Sequence, residues 1–145
     1  MRKLFLIVAV SFLSLGVVSA NSNRPISVDN LPQKAQQFIK KYFSQVSVTY
    51  ATEDRDILSK EYEVMFAEGT KVDFSSNGEW RSVECKGVAV PAGVVPQQIN
   101  EYVKQNYSNA KVVKIDRDRN DYEVSLSNRL ELTFNKSFRL VEIDD

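Results

Sequence analysis

Histidine is absent from all 145 residues, and that one absence removes the commonest routes to chemistry. Without imidazole there is no Ser-His or Cys-His nucleophile pair, no common zinc site, and most general bases for neutral pH are gone. Cysteine is nearly absent as well. Cys85 stands alone, so no intrachain disulfide forms. It reads as a small buried apolar side chain on a strand; an exposed thiol would instead bridge two molecules. The five glycines are scattered and build no phosphate cradle. Charge of one sign is missing too, with 19 basic and 19 acidic residues. A nucleic acid demands a clustered basic surface, which this balance does not supply.

What is there begins with Arg2 and Lys3, an apolar stretch from Leu4 to Val18, and the small-residue pattern Val18-Ser19-Ala20. These predict a cleaved secretory signal over residues 1–20. The stretch is broken by Ser11, Ser14 and Gly16 and falls short of the ~20 residues that span a bilayer. No cysteine follows for lipid attachment. The expected mature chain, 21–145, loses two basic residues, leaving 17 against 19 acidic. It is expected to be periplasmic or secreted, to carry no membrane span, and to fold as a single domain, monomeric or weakly dimeric. A chain of this length buries roughly two thirds of its unfolded surface and needs no cross-links.

The organisation lies in a phrase written twice. Residues 31–44 read "LPQKAQQFIKKYFS" and residues 95–108 read "VPQQINEYVKQNYS". In the first, Ala35, Phe38, Ile39, Tyr42 and Phe43 fall at helical spacing; in the second, Ile99, Tyr102, Val103 and Tyr107 do. Each proline suits a first helical turn, and Asp29 or Asn30 is placed to cap the first helix. After each helix the period changes to two. Strands are predicted in "VSVTYAT", "EYEVMF", "KVDF" and "EWRSVEC", and again in "KVVKI", "DYEVSLS", "RLELTF" and "FRLVEI". "YEV" recurs at 62–64 and 122–124, and "WRSVE" (80–84) answers "FRLVE" (138–142). The expected fold is α+β: two tandem repeats, about 28–86 and 92–145, each one helix plus a four-stranded antiparallel meander. They merge into one roughly eight-stranded antiparallel sheet with both helices on one face. Between them "KGVAVPAGVVP" reads as an extended connector lying against the body.

Sites are scarce. "DRDRND" at 116–121 opens like a calcium loop, with Asp116, Asp118 and Asn120 as alternating oxygens. Asp121 and Ser127 stand where the motif needs Gly and Glu, and two arginines intervene, so the segment reads as a solvated turn. Neither a metal nor any other cofactor is expected. Glu61 and Glu63 share a strand face and read as wet surface rather than an acid–base pair. The Asn106-Tyr107-Ser108 sequon falls on a helix stripe. The face opposite the helices, with Glu61, Glu63, Met65, Lys71, Asp73, Ser125, Glu131 and Thr133, reads as mixed polar. In the last strand of each repeat Trp80-Ser82-Glu84 and Phe138-Leu140-Glu142 share one side, Arg81-Val83-Cys85 and Arg139-Val141-Ile143 the other, and either set can face outward. With Trp80 and Phe138 outward, they and Met65 are the candidate binding residues; turned inward, the two aromatics complete the core.

The helix-plus-four-strand unit, the "LP" and "VP" helix starts and the "YEV" openings resemble the PepSY-like, beta-lactamase-inhibitor-like family of small periplasmic bacterial proteins. The resemblance spans about residues 28–143 and implies the tandem α+β fold, export, and a binding or inhibitory role. The true inhibitor is braced by disulfides that one cysteine cannot reproduce. Its inhibitory hairpin residues have no counterpart here, so no functional position carries over. The expectation is a secreted non-enzymatic module binding an unidentified protein or peptide across the open sheet face. The alternative is a small-ligand or envelope-component binder using a pocket between the repeats.

Overall fold

A computed structural model describes residues 23–145; the expected signal at 1–20 lies outside them. Strand β1 (Arg24–Ile26) leads through a 3-10 turn (Val28–Asn30) to helix α1 (Gln33–Tyr42). Strands β2 (Val48–Arg55), β3 (Lys60–Phe66), β4 (Lys71–Phe74) and β5 (Trp80–Glu84) follow. Helix α2 (Gln97–Asn106) then precedes β6 (Val112–Arg117), β7 (Asp121–Leu126), β8 (Glu131–Asn135) and β9 (Leu140–Asp144). The fold is α+β, with two helices and one open antiparallel sheet of nine strands in chain order.

The ninth strand is the first in sequence. Arg24 to Ile26 pair with Glu53 to Ala51, adding an edge ahead of the helix. Three residues are too few to show a period. Pro25 lacks an N–H, which suits an edge and blocks further pairing.

Helix capping also differs from expectation. Asp29 and Asn30 belong to the 3-10 turn, and Pro32 occupies the cap position without a side-chain bond. The chain ahead of the helix is tied back to it: the Gln36 amide donates to the carbonyls of Asp29 (3.0 Å) and Leu31 (2.8 Å). In α2 the Asn100 amide, also four residues after the proline, donates to Ala92 (3.0 Å) and Val95 (3.4 Å).

One row of side chains forms the spine of the core. Across the register run Ala51, Val64, Val72, Val83, Ile115, Val124 and Leu132, none more than 4 % exposed. The row crosses from β5 to β6 without interruption, so the apolar interior is continuous along the sheet. Phe38 of α1 meets Phe74 edge-on at 5.6 Å, and Tyr102 of α2 meets Phe134 in the same manner at 5.4 Å. Such pairs add ~1 kcal/mol to the ~2–3 kcal/mol from burying each ring. The connector contributes buried Val90, Val94 and Val95. Cys85 is buried.

Turn chemistry closes two hairpins differently. Gly78 (φ +86°) follows Asn77 between β4 and β5; a Cβ there would lie 2.8 Å from the Pro32 Cβ. The corresponding place between β8 and β9 holds Phe138 at φ +62°, a left-handed conformation that costs a non-glycine residue about 1–2 kcal/mol.

Candidate functional site

Strand alternation leaves one sheet face away from the core, and none of its residues is fully buried. The register places a second row directly across it: Thr52, Glu63, Asp73, Ser82, Asp116, Glu123, Thr133 and Glu142. Glu63 thus stands opposite Asp73, and Asp116 opposite Glu123, on neighbouring strands. Asp54 faces Glu61, and Glu131 faces Asp144. Like charges directly opposed across strands destabilise a sheet, yet this face carries four such pairs.

The expected mixed polar surface is therefore strongly one-signed. With Glu84 and Asp121, this face carries eleven carboxylates against two ammonium groups, Lys71 and Lys114. The same chain from residue 21 onward holds 19 acidic and 17 basic residues, so its neutrality conceals a separation of charge by side. A linear count could not reveal this, because acidic residues on the open face alternate with apolar ones while basic residues gather in helices and turns.

The field is felt most at Asp73. Burial between neighbours, reinforced by Glu63, Glu61 and Asp116 and opposed by Lys71, pushes its pKa from 3.8 to about 6. Burial, with Glu131 and Asp116, also raises Glu123, against the pull of Lys114. Lys114 in turn pairs with Asp116 at 3.1 Å. A concavity of about 380 Å³ opens here, walled by Glu61, Asp73, Asp116, Asp121 and Glu123, with the guanidinium groups of Arg81 and Arg117 at its border. At the end of this row the Asp118 carboxylate accepts the backbone N–H groups of Asn120 (2.7 Å) and Asp121 (3.2 Å), closing the "DRDRND" turn. Among the described residues no group of three or more His, Cys, Asp or Glu is arranged to hold a metal ion.

The three candidate binding residues do not share a face. Met65 lies on the open face, opposite Lys71 and Tyr50. Trp80 is half-buried on the core side, its ring 6.4 Å from Phe38 and 4.1 Å from the Arg117 guanidinium. Phe138 belongs to the turn before β9 rather than to a strand, and stacks on Tyr122 at 5.7 Å. Trp80 and Tyr122 line one cleft, of about 700 Å³, with the connector and the start of α2. Arg117 and Tyr122 were invisible as site residues in the sequence: one looked like part of a solvated turn, the other like ordinary core.

The family model described as "Putative beta-lactamase-inhibitor-like, PepSY-like" matches residues 60–142. A "putative calcium-regulated periplasmic protein" from Bacteroides thetaiotaomicron is 49% identical, with a TM-score of 0.85 over 87% of this chain and 99% of that one. This chain belongs to the PepSY-like family. A "putative periplasmic protein" from Bacteroides vulgatus is 45% identical over the same shares, with a TM-score of 0.84. Another from that organism is 37% identical, with a TM-score of 0.80 over 85% of this chain and 99% of the other. No functionally curated protein matches. The PepSY-like chain shares the periplasmic location of these neighbours. The family is described as inhibitor-like rather than catalytic. Among the described residues no helix is long and apolar enough to cross a membrane.

Proposed function

We infer that this PepSY-like protein is a non-enzymatic periplasmic binding module that docks a positively charged protein or peptide segment across its open sheet face. Two tandem helix-plus-four-strand units, about residues 28–86 and 92–145, pool their apolar interiors to hold that face flat and broad. One observation carries the reading: Glu63 opposite Asp73 and Asp116 opposite Glu123, like-charge pairs in a single row. A face shaped for stability alone would alternate signs there. A partner bearing lysine or arginine would relieve the repulsion and be steered toward it by the field.

Calcium regulation, printed for the Bacteroides thetaiotaomicron relative, is not carried over as a built site. The carboxylates run in a line across strands instead of converging on a point. Asp118 is engaged by backbone N–H groups and Asp116 by Lys114.

The test is binding of a fluorescent lysine-rich peptide and an acidic control of equal length, at low and high salt. The Glu63→Gln/Asp73→Asn/Glu123→Gln variant is run beside the parent, its fold checked by thermal melt. The parent should prefer the basic peptide by about tenfold or more, weaken with salt, and lose the preference in the variant. Equal binding of both peptides, or an unchanged variant, overturns the reading.

A further inference from the structure

We propose a second site on the other side of the sheet: the cleft where β5 meets β6, which takes an organic carboxylate with a flat apolar or aromatic body. Its volume, about 700 Å³, falls in the range of small-ligand pockets. Trp80, Val94, Val95, Pro96 and Tyr122 supply apolar walls, and Arg117 the charge.

The Arg117 side chain is held in place before any ligand arrives. Its Nε and Nη2 donate to the Trp80 carbonyl (3.2 and 2.8 Å), and its Cζ sits over the Trp80 ring, 4.1 Å from the centroid. It makes no ion pair with any carboxylate among the described residues. A guanidinium fixed by a carbonyl and an indole keeps its full charge, with a free edge for a bidentate anion.

The surroundings repeat the sign. A second concavity of about 420 Å³ shares Arg117 and Tyr122 and adds Arg81, Arg119 and Lys136. Its two carboxylates are occupied, Glu79 by Lys34 at 3.4 Å and Asp118 by the backbone of its own turn. None of the four cations closes an ion pair among the described residues, although Asp118 lies within electrostatic reach of Arg81 and Lys136, and Arg81 and Arg117 also border the acidic concavity. Lys136 sits 4.1 Å over Tyr122. The strained turn at Phe138 backs that wall: where the first half uses glycine, Phe138 at φ +62° stacks on Tyr122. The opening turn of α2 has no side-chain cap and no acidic residue of its own, and the Glu101 carboxylate one turn on accepts from the Gln97 amide (3.0 Å).

The carboxylate could be a free aromatic acid or the C-terminal residue of a peptide, since both present the same chemistry to Arg117. Trp80 is the only tryptophan, so its emission reports on the cleft directly. The purified protein is titrated with N-acetylphenylalanine, with its neutral amide, and with a tetrapeptide ending in phenylalanine as acid or amide. The acids should shift Trp80 emission saturably, and the amides should bind about tenfold weaker or less. Arg117→Gln should weaken the acids about tenfold, and Arg119→Gln/Lys136→Gln, which leaves Trp80 untouched, should reduce their affinity severalfold. The Glu63→Gln/Asp73→Asn variant should bind as the parent, so this site can fail while the open face succeeds. A tetrapeptide acid tighter than the free acid assigns a peptide terminus; the reverse assigns a small molecule. Acid and amide titrating alike, no saturable change up to about 10 mM, or full affinity in both cation variants overturns the proposal.

Discussion

Replacing Asp73 with asparagine keeps the shape of the open face and removes the carboxylate it tolerates least. In the unfolded chain this group titrates at 3.8, in the fold at about 6. The folded state therefore binds the proton more tightly, and between those values it carries a proton that the unfolded chain has lost. Stability accordingly falls as pH rises from about 4 to about 6, then levels off with the carboxylate ionised and repelled. At full strength that gap corresponds to about 3 kcal/mol. Asp73 is only half-buried, so solvent screening reduces the effect to about 1–2 kcal/mol. Asp73→Asn should then melt higher than the parent by roughly 3–8 °C near pH 7.5. The advantage should shrink by about pH 5, where the parent regains its proton. Calorimetric melts of both proteins across that range decide the matter. A variant no more stable than the parent at pH 7.5, or a parent whose melting point is flat with pH, would refute the electrostatic account of this face.

Two further outcomes follow from the rest of the fold. Gly78→Ala should destabilise by about 1–3 kcal/mol, because the turn needs φ +86° and the new methyl would meet Pro32 of the helix start; the urea midpoint measures it. Glu53 behaves oppositely to Asp73: burial alone would raise its pKa, but Lys60 and Arg55 prevail and hold it below 4.5. Its stabilising contribution is present above that value and lost as pH falls. Glu53→Gln should accordingly flatten the acid limb of a stability–pH curve; an unchanged limb would mean that other carboxylates control acid unfolding.

The helices and eight of the strands were legible because their periods are clean: Tyr62, Val64 and Phe66 alternate, and Phe38, Ile39 and Tyr42 recur at helical spacing. Strand β1 was not, since Arg24–Ile26 acquires its role only from pairing with β2. The cap of α1 was misplaced because a short-range rule favoured Asp29 and Asn30, whereas both are taken into the 3-10 turn and Pro32 starts the helix without a side-chain cap. The site was the least legible part. Glu63, Asp73, Asp116 and Glu123 are scattered over 61 positions of sequence and become neighbours only through strand register. Arg117 and Trp80, 37 positions apart, meet because the β5–β6 pairing sets the ends of those strands side by side.

The two proposed sites divide the charge of one small molecule. The open face gathers eleven carboxylates, while the cleft gathers four cations among its walls and neighbours, of which Arg81 and Arg117 stand at the border and line the acidic concavity as well. That separation has a physical consequence. Were the two sets of charges mixed, each would find a partner within the chain, and neither would offer net attraction to a ligand. Because none of the four cations closes an ion pair with those carboxylates, each set stays available to an outside partner of opposite sign. The apolar row from Ala51 to Leu132 runs beneath the carboxylates and is continuous between Val83 and Ile115. Burial of that row offsets the repulsion of the carboxylates above it, so stability given up on the open face is recovered beneath it. Weakening the core at the seam should therefore unfold the protein more readily at neutral pH, where the open face repels itself, than near pH 5, where Asp73 has taken up its proton.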